Sequence, residues 1–165
     1  MHKPSAIAGS AVFFVLAPGV VAGLVPWWLT ERYGLPLAPW PLVTTGAVLI
    51  GASLAVLLHA FARFALEGTG TPAPVAPTDK LVVGGVYRYV RNPMYVAVIS
   101  IILGQALIFA HWPLVAYAAL VGAAMAAFVR GYEEPVLARR YGAQYEAYRS
   151  NVPGWLPRLT PWQGD

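Results

Sequence analysis

A chain of 165 residues that is 58% hydrophobic and only 11% charged is too poor in charge for an ordinary soluble domain, where about a quarter of residues carry one. With no cysteine, disulfides, thiolate metal ligands and cysteine nucleophiles are excluded. The net charge of +4 reads as membrane topology and attraction to anionic lipid, so a lipid bilayer and not nucleic acid is the expected partner.

Uncharged runs give the elements. Between Lys3 and Glu31 lie 27 uncharged residues, between Arg32 and Arg63 there are 30, and between Arg91 and Arg130 there are 38. A spanning helix needs roughly 20 apolar residues, which predicts spans at 7–29, 41–62, 94–110 and 113–130. The fold class is an all-α integral membrane protein with about four transmembrane helices and a C-terminal cytosolic or interfacial helix. The single membrane domain divides into a scaffold hairpin (1–62), a cytoplasmic loop (63–93), a transmembrane hairpin (94–130) and a cytosolic cap (131–165).

The first apolar run exceeds the roughly 7–15 residues of a signal-peptide core and reads as an uncleaved span. Pro18, Gly19, Gly23 and Pro26 should bend or loosen it. Residues 67–79, with three prolines and two glycines, read as an irregular loop. His111-Trp112-Pro113 marks the tip of the last hairpin, because Trp suits a membrane interface and Pro the first turn of a helix. Glu133-Glu134-Pro135 should end the fourth span. Pro135 should then start a helix through about Ser150, with Leu137, Tyr141, Tyr145 and Tyr148 on one face. Pro153-Gly154-Trp155-Leu156-Pro157 cannot be regular helix.

Four spans place both termini and the 63–93 loop on one side. Ten of the eleven Lys and Arg residues fall there and only Arg32 on the other, which predicts cytoplasmic termini.

The candidate site lies in 85–95, GVYRYVRNPMY. Asn92 is a favoured N-cap and Pro93 suits the first helical position. Asn92 lies 20 residues before Trp112 and Glu133 lies 21 after it, so both return to nearly the same depth at about 1.5 Å per residue. Tyr87, Asn92, Tyr95, Glu133 and Glu134 can therefore meet at one membrane face. Carboxylates there suit ribose hydroxyls or an ammonium, and tyrosine faces suit a cationic centre. The same arginines and tyrosines also fit plain interfacial anchoring. His59 reads as a packing residue or a polar tip, and no pair of histidines has metal-ligand spacing. Gly104 and Gly122 read as helix-packing positions.

The segment 85–95, Glu133-Glu134, and Tyr141-Gly142-Ala143-Gln144-Tyr145 with Tyr148, Val152-Pro153 and Leu156-Pro157 together resemble the isoprenylcysteine carboxyl methyltransferase family, to which phospholipid N-methyltransferases are related. The resemblance covers about residues 79–158. It implies an integral membrane enzyme that uses S-adenosyl-L-methionine on a lipidic or small hydrophobic methyl acceptor. By position it implies cofactor contacts from Asp79, Lys80, Leu81, Val82, Tyr87, Asn92, Pro93, Met94, Tyr95, Glu133 and Glu134. Asn92 stands where the family has histidine. Val129 stands where the eukaryotic carboxyl methyltransferases have a substrate arginine, and the adjacent Arg130 is the substrate-binding candidate here. No catalytic base and no metal ligand is assigned. An NADPH-dependent sterol-reductase-like enzyme and a non-enzymatic four-helix membrane protein are the alternatives.

Overall fold

The structure is a computed structural model that describes residue 12, residues 16–67 and residues 80–164, except the side chains of 64, 65 and 67. The N-terminal part of the first expected span and the 68–79 loop, with Asp79, lie outside the described residues.

Among the described residues every regular element is helical. They are α1 (Leu16–Leu29), α2 (Trp40–Glu67), a 3₁₀ turn (Gly85–Arg88), α3 (Pro93–Phe109), α4 (Trp112–Phe128), α5 (Glu134–Tyr141) and α6 (Ala143–Asn151). Trp40–Arg63 and Trp112–Tyr141 are long and apolar enough to cross a membrane. The described part of α1 and the 17 residues of α3 are apolar but shorter. At about 1.5 Å per residue α3 covers about 26 Å, below a hydrocarbon core of about 30 Å. Among the described residues, two of the four expected spans are therefore long enough by themselves.

The core is built by α2, α3 and α4 from Leu57, Phe61, Ala97, Val98, Ile101, Ile102, Leu114 and Ala118. Close approach of α2 and α3 depends on two facing glycines. A Cβ on Gly104 would stand 2.9 Å from the Gly46 carbonyl oxygen, and one on Gly46 would strike the Gly104 carbonyl in return. Gly122 has no such neighbour, since a Cβ there would sit at an ordinary 3.5 Å from Ile99. Outward-facing apolar side chains such as Val48, Leu54, Leu58, Val115 and Leu120 are exposed, as a lipid-facing surface requires. The hairpin turns where expected: Ala110 is left-handed (φ 46°), His111 is extended, and α4 starts at Trp112.

Two prolines behave differently from expectation. The fourth span does not end at Glu133-Glu134-Pro135. It runs through a π-helical turn, Val129–Glu133, straight into α5. In α1 the π turn Val20–Leu24 likewise precedes Pro26 by two residues. Proline offers no N–H to the carbonyls four or five residues before it, and widening the preceding turn accommodates the missing bond without ending the helix. In α1 the carbonyls left over are taken by other helices. Gln105 donates its amide to the Ala22 oxygen at 2.7 Å, and the Tyr117 hydroxyl donates to the Val21 oxygen at 2.8 Å. Tyr33 in turn donates to the Gln105 side-chain oxygen at 2.8 Å.

The expected single helix from Pro135 to Ser150 is two helices. They break at Gly142 (φ 51°, ψ −126°), a conformation open almost only to glycine.

Candidate active site

The sequence past α6 is too rich in proline to continue as helix, and it folds back over 88–92 as a strap. Its backbone pairs with that segment at four points. Arg91 N–H donates to Pro153 O at 2.9 Å and Asn92 N–H to Gly154 O at 3.2 Å. Arg158 N–H donates to Tyr89 O at 2.9 Å and Trp162 N–H to Arg88 O at 3.0 Å.

Asn92 is the N-cap residue of α3 by position, with Pro93 at the first turn, but its side chain makes no capping bond. Its amide instead donates to Gly154 O at 3.0 Å. The strap has captured the group that would have capped the helix. Gly154 suits this close approach, because a Cβ there would lie 3.2 Å from the Arg91 guanidinium.

Arg91 ties three segments together. Its Nη1 contacts Glu134 Oε1 at 2.7 Å and the Tyr145 hydroxyl at 3.1 Å, and its Nε donates to Val152 O at 2.9 Å. Arg149 reaches the other oxygen of Glu134 at 3.6 Å. Glu134 is thus committed to two cations within the protein.

Glu133 is placed differently. Its Oε2 accepts a 2.9 Å hydrogen bond from Tyr95, in the first turn of α3, and the Tyr95 ring stacks on Trp155 of the strap at 6.3 Å between centroids. The hairpin therefore returns Tyr95 and Glu133 to one depth. Tyr87 is buried and close enough for the charge on Glu133 to act on its hydroxyl.

Beneath these groups lies a second apolar cluster. Ala60, Val82, Tyr87, Tyr145, Tyr148 and Val152 form it, and Leu81, Met94, Leu137, Tyr141 and Trp162 pack against it. The tyrosine face expected after Pro135 is the face that α5 and α6 lay on this cluster. The Tyr148 hydroxyl donates to Tyr87 O at 2.7 Å, and its ring meets Trp162 at 5.5 Å. Burial raises the titration of the Tyr87, Tyr145 and Tyr148 hydroxyls above the usual tyrosine range. At Tyr145 and Tyr148 the positive charge of Arg91 offsets part of that rise.

Of the residues singled out in the sequence, Val82, Tyr87, Asn92 and Pro93 are buried. Leu81, Met94, Tyr95, Glu133 and Glu134 are half-buried, whereas Lys80 and Arg130 are exposed. Tyr145, Tyr148, Trp155 and Trp162 were not assigned to the site from sequence. The tyrosine spacing pointed to two of them; nothing local marked the tryptophans as strap residues.

A carboxylate held beside an aromatic ring can accept hydrogen bonds from hydroxyl or ammonium groups. Glu133 is a half-buried carboxylate oriented by Tyr95, and Trp155 stacks on the far partner of that bond, the Tyr95 ring. The family model described as phospholipid methyltransferase matches residues 42–144, from early α2 into α6. No curated protein and no solved structure matches the chain.

Proposed function

The chain belongs to the phospholipid methyltransferase family, and from that premise we propose that it transfers a methyl group from S-adenosyl-L-methionine to a lipidic acceptor at the membrane face where Tyr95 and Glu133 meet. The observation that carries this reading is the Tyr95–Glu133 hydrogen bond, which holds a carboxylate ready in a half-buried aromatic setting. When bound, the cofactor supplies an electrophilic methyl on a sulfonium, and the protein supplies alignment.

Glu133 would accept hydrogen bonds from ribose hydroxyls or the cofactor ammonium, and Tyr95 fixes the carboxylate that would do so. Tyr87, Val82 and Leu81 form the apolar wall, with Met94 at the start of α3. The strap lays Trp155 on the Tyr95 ring and so shields one side of the site. Asn92 acts through the strap and not as a proton acceptor. An acceptor carboxylate needs no base, whereas an amine or hydroxyl must shed a proton, and no side chain is assigned that task. Arg130, exposed at the π turn, is the candidate contact for an acidic acceptor. The basic side of the chain, with both termini, faces the cytoplasm in this reading, which would leave Glu133 open to a soluble cofactor and the flanking helices open to a lipidic acceptor.

The test is ligand binding by the full chain in detergent. S-adenosylhomocysteine should raise the melting temperature and NADPH should not. Glu133→Ala should remove calorimetric binding of S-adenosylhomocysteine while the protein still melts cooperatively. Stabilisation by NADPH instead, or unchanged affinity in the variant, refutes the assignment.

A further inference from the structure

A second polar feature lies on the other side of the 84–92 segment, against α2. A cleft of about 580 Å³ is lined by His59, Arg63, Gly84, Gly85, Val86, Arg88, Tyr89 and Pro161. That volume falls within the roughly 300–1,000 Å³ of small-ligand sites. It shares no lining residue with the Tyr95–Glu133 pair. Among the described residues no acidic side chain lines it, and the exposed Arg88 brings a positive charge to it.

The backbone here is shaped to make that cleft. Gly85 has φ +58°, and a Cβ on it would collide with the His59 ring and come within 2.9 Å of Arg63 Nε. Glycine thus lets the 3₁₀ turn press against the last turns of α2, bringing Arg88 to the side chains of His59 and Arg63. Arg88 also differs from its neighbour. Arg91 is consumed by Glu134, Tyr145 and Val152, whereas Arg88 is exposed and has no carboxylate partner among the described residues.

Location narrows the ligand. Arg63 is the first charged residue of α2 after the uncharged run that follows Arg32, so the cleft opens where that helix meets the membrane surface. Exposed Leu58 and Leu66 flank it along the helix. Basic pockets at helix ends on the membrane surface recognise lipid headgroup phosphates, and arginine presents planar donors that match phosphate oxygens.

We propose that the His59–Arg63–Arg88 cleft is a binding site for a phosphate group, separate from the Glu133 site and independent of the methyl-transfer reading. Such a phosphate comes from a phospholipid headgroup or from a free phosphate, and His59 is then a ligand contact and not a packing residue.

The full chain, purified in nonionic detergent at low salt, is titrated calorimetrically with three probes: dihexanoyl phosphatidylglycerol, inorganic phosphate and dihexanoylglycerol. The phospholipid should bind saturably, and Arg88→Gln should weaken it about tenfold, the loss expected for one charge-assisted contact. Arg139→Gln, which removes an equal charge from α5, should leave affinity unchanged. His59→Gln supplies a second variant and should also weaken binding should Arg88→Gln fail to fold. Inorganic phosphate that binds as tightly as the lipid, with the same dependence on Arg88, supports the site with free phosphate as its ligand. Equal binding of neutral dihexanoylglycerol, or equal losses from Arg88→Gln and Arg139→Gln, overturns it.

Discussion

Arg91 and Glu134 show how a half-buried ion pair defines this end of the molecule. Each side chain is 15% exposed, so removing one leaves the other charged and poorly solvated. Arg91→Ala should destabilise the protein by on the order of 3 kcal/mol, read as a lowered melting temperature in detergent. Arg91→Lys should recover only part of it, since one ammonium cannot serve the positions that Nη1 and Nε occupy. The tyrosines predict a pH dependence. Their folded-state titration lies above the unfolded value of 10.0. Stability is therefore whole below pH 10 and is lost as pH rises past it, because only the unfolded chain ionises readily there. Melting temperature should fall above about pH 10, and Tyr148→Phe should flatten that fall.

At the scale of elements, the two π turns explain how prolines sit inside long helices. Gln105→Leu should strand the Ala22 carbonyl in an apolar interior and cost about 1–3 kcal/mol. Pro26→Ala returns an N–H four residues after Ala22. The double variant should then lose less than the two single losses combined, and a double-mutant cycle on melting data measures that difference. Additive losses would mean that the Gln105 bond does not substitute for the proline. From sequence alone, Pro26 and Pro135 read as bends and stops, because the rule for proline is local. The donors that rescue α1 lie 83 and 96 residues from the carbonyls they serve, and nothing in the local pattern announces them.

On the scale of the whole molecule, the strap holds the site segment in place. Truncation after Asn151 removes its backbone partners together with Trp155 and Trp162. The shortened protein should keep its helical circular dichroism and lose binding of S-adenosylhomocysteine; retained binding would show that the strap is dispensable. Sequence periodicity revealed the helices and the hairpin tip because apolar runs and the His111-Trp112-Pro113 break are local signals. Equal counting from that tip also brought Glu133 to the depth of α3's first turn. The strap was legible only as non-helix, since four backbone hydrogen bonds leave no trace in side-chain identity. The capture of Asn92 was hidden for the same reason: a good capping residue and a good strap anchor look alike.

The three contacts of Arg91 also set a timetable. Its partners Glu134, Tyr145 and Val152 lie 43, 54 and 61 positions further along the chain. At synthesis rates of about 5–20 residues per second, Val152 follows Arg91 by roughly 3–12 s. During that interval the guanidinium has none of these three partners, and this end of the α3–α4 hairpin is unassembled. Closure of the site is therefore a late event in the birth of the molecule. It waits until the strap emerges, when the α6 contact and the strap can lock around a residue made long before them.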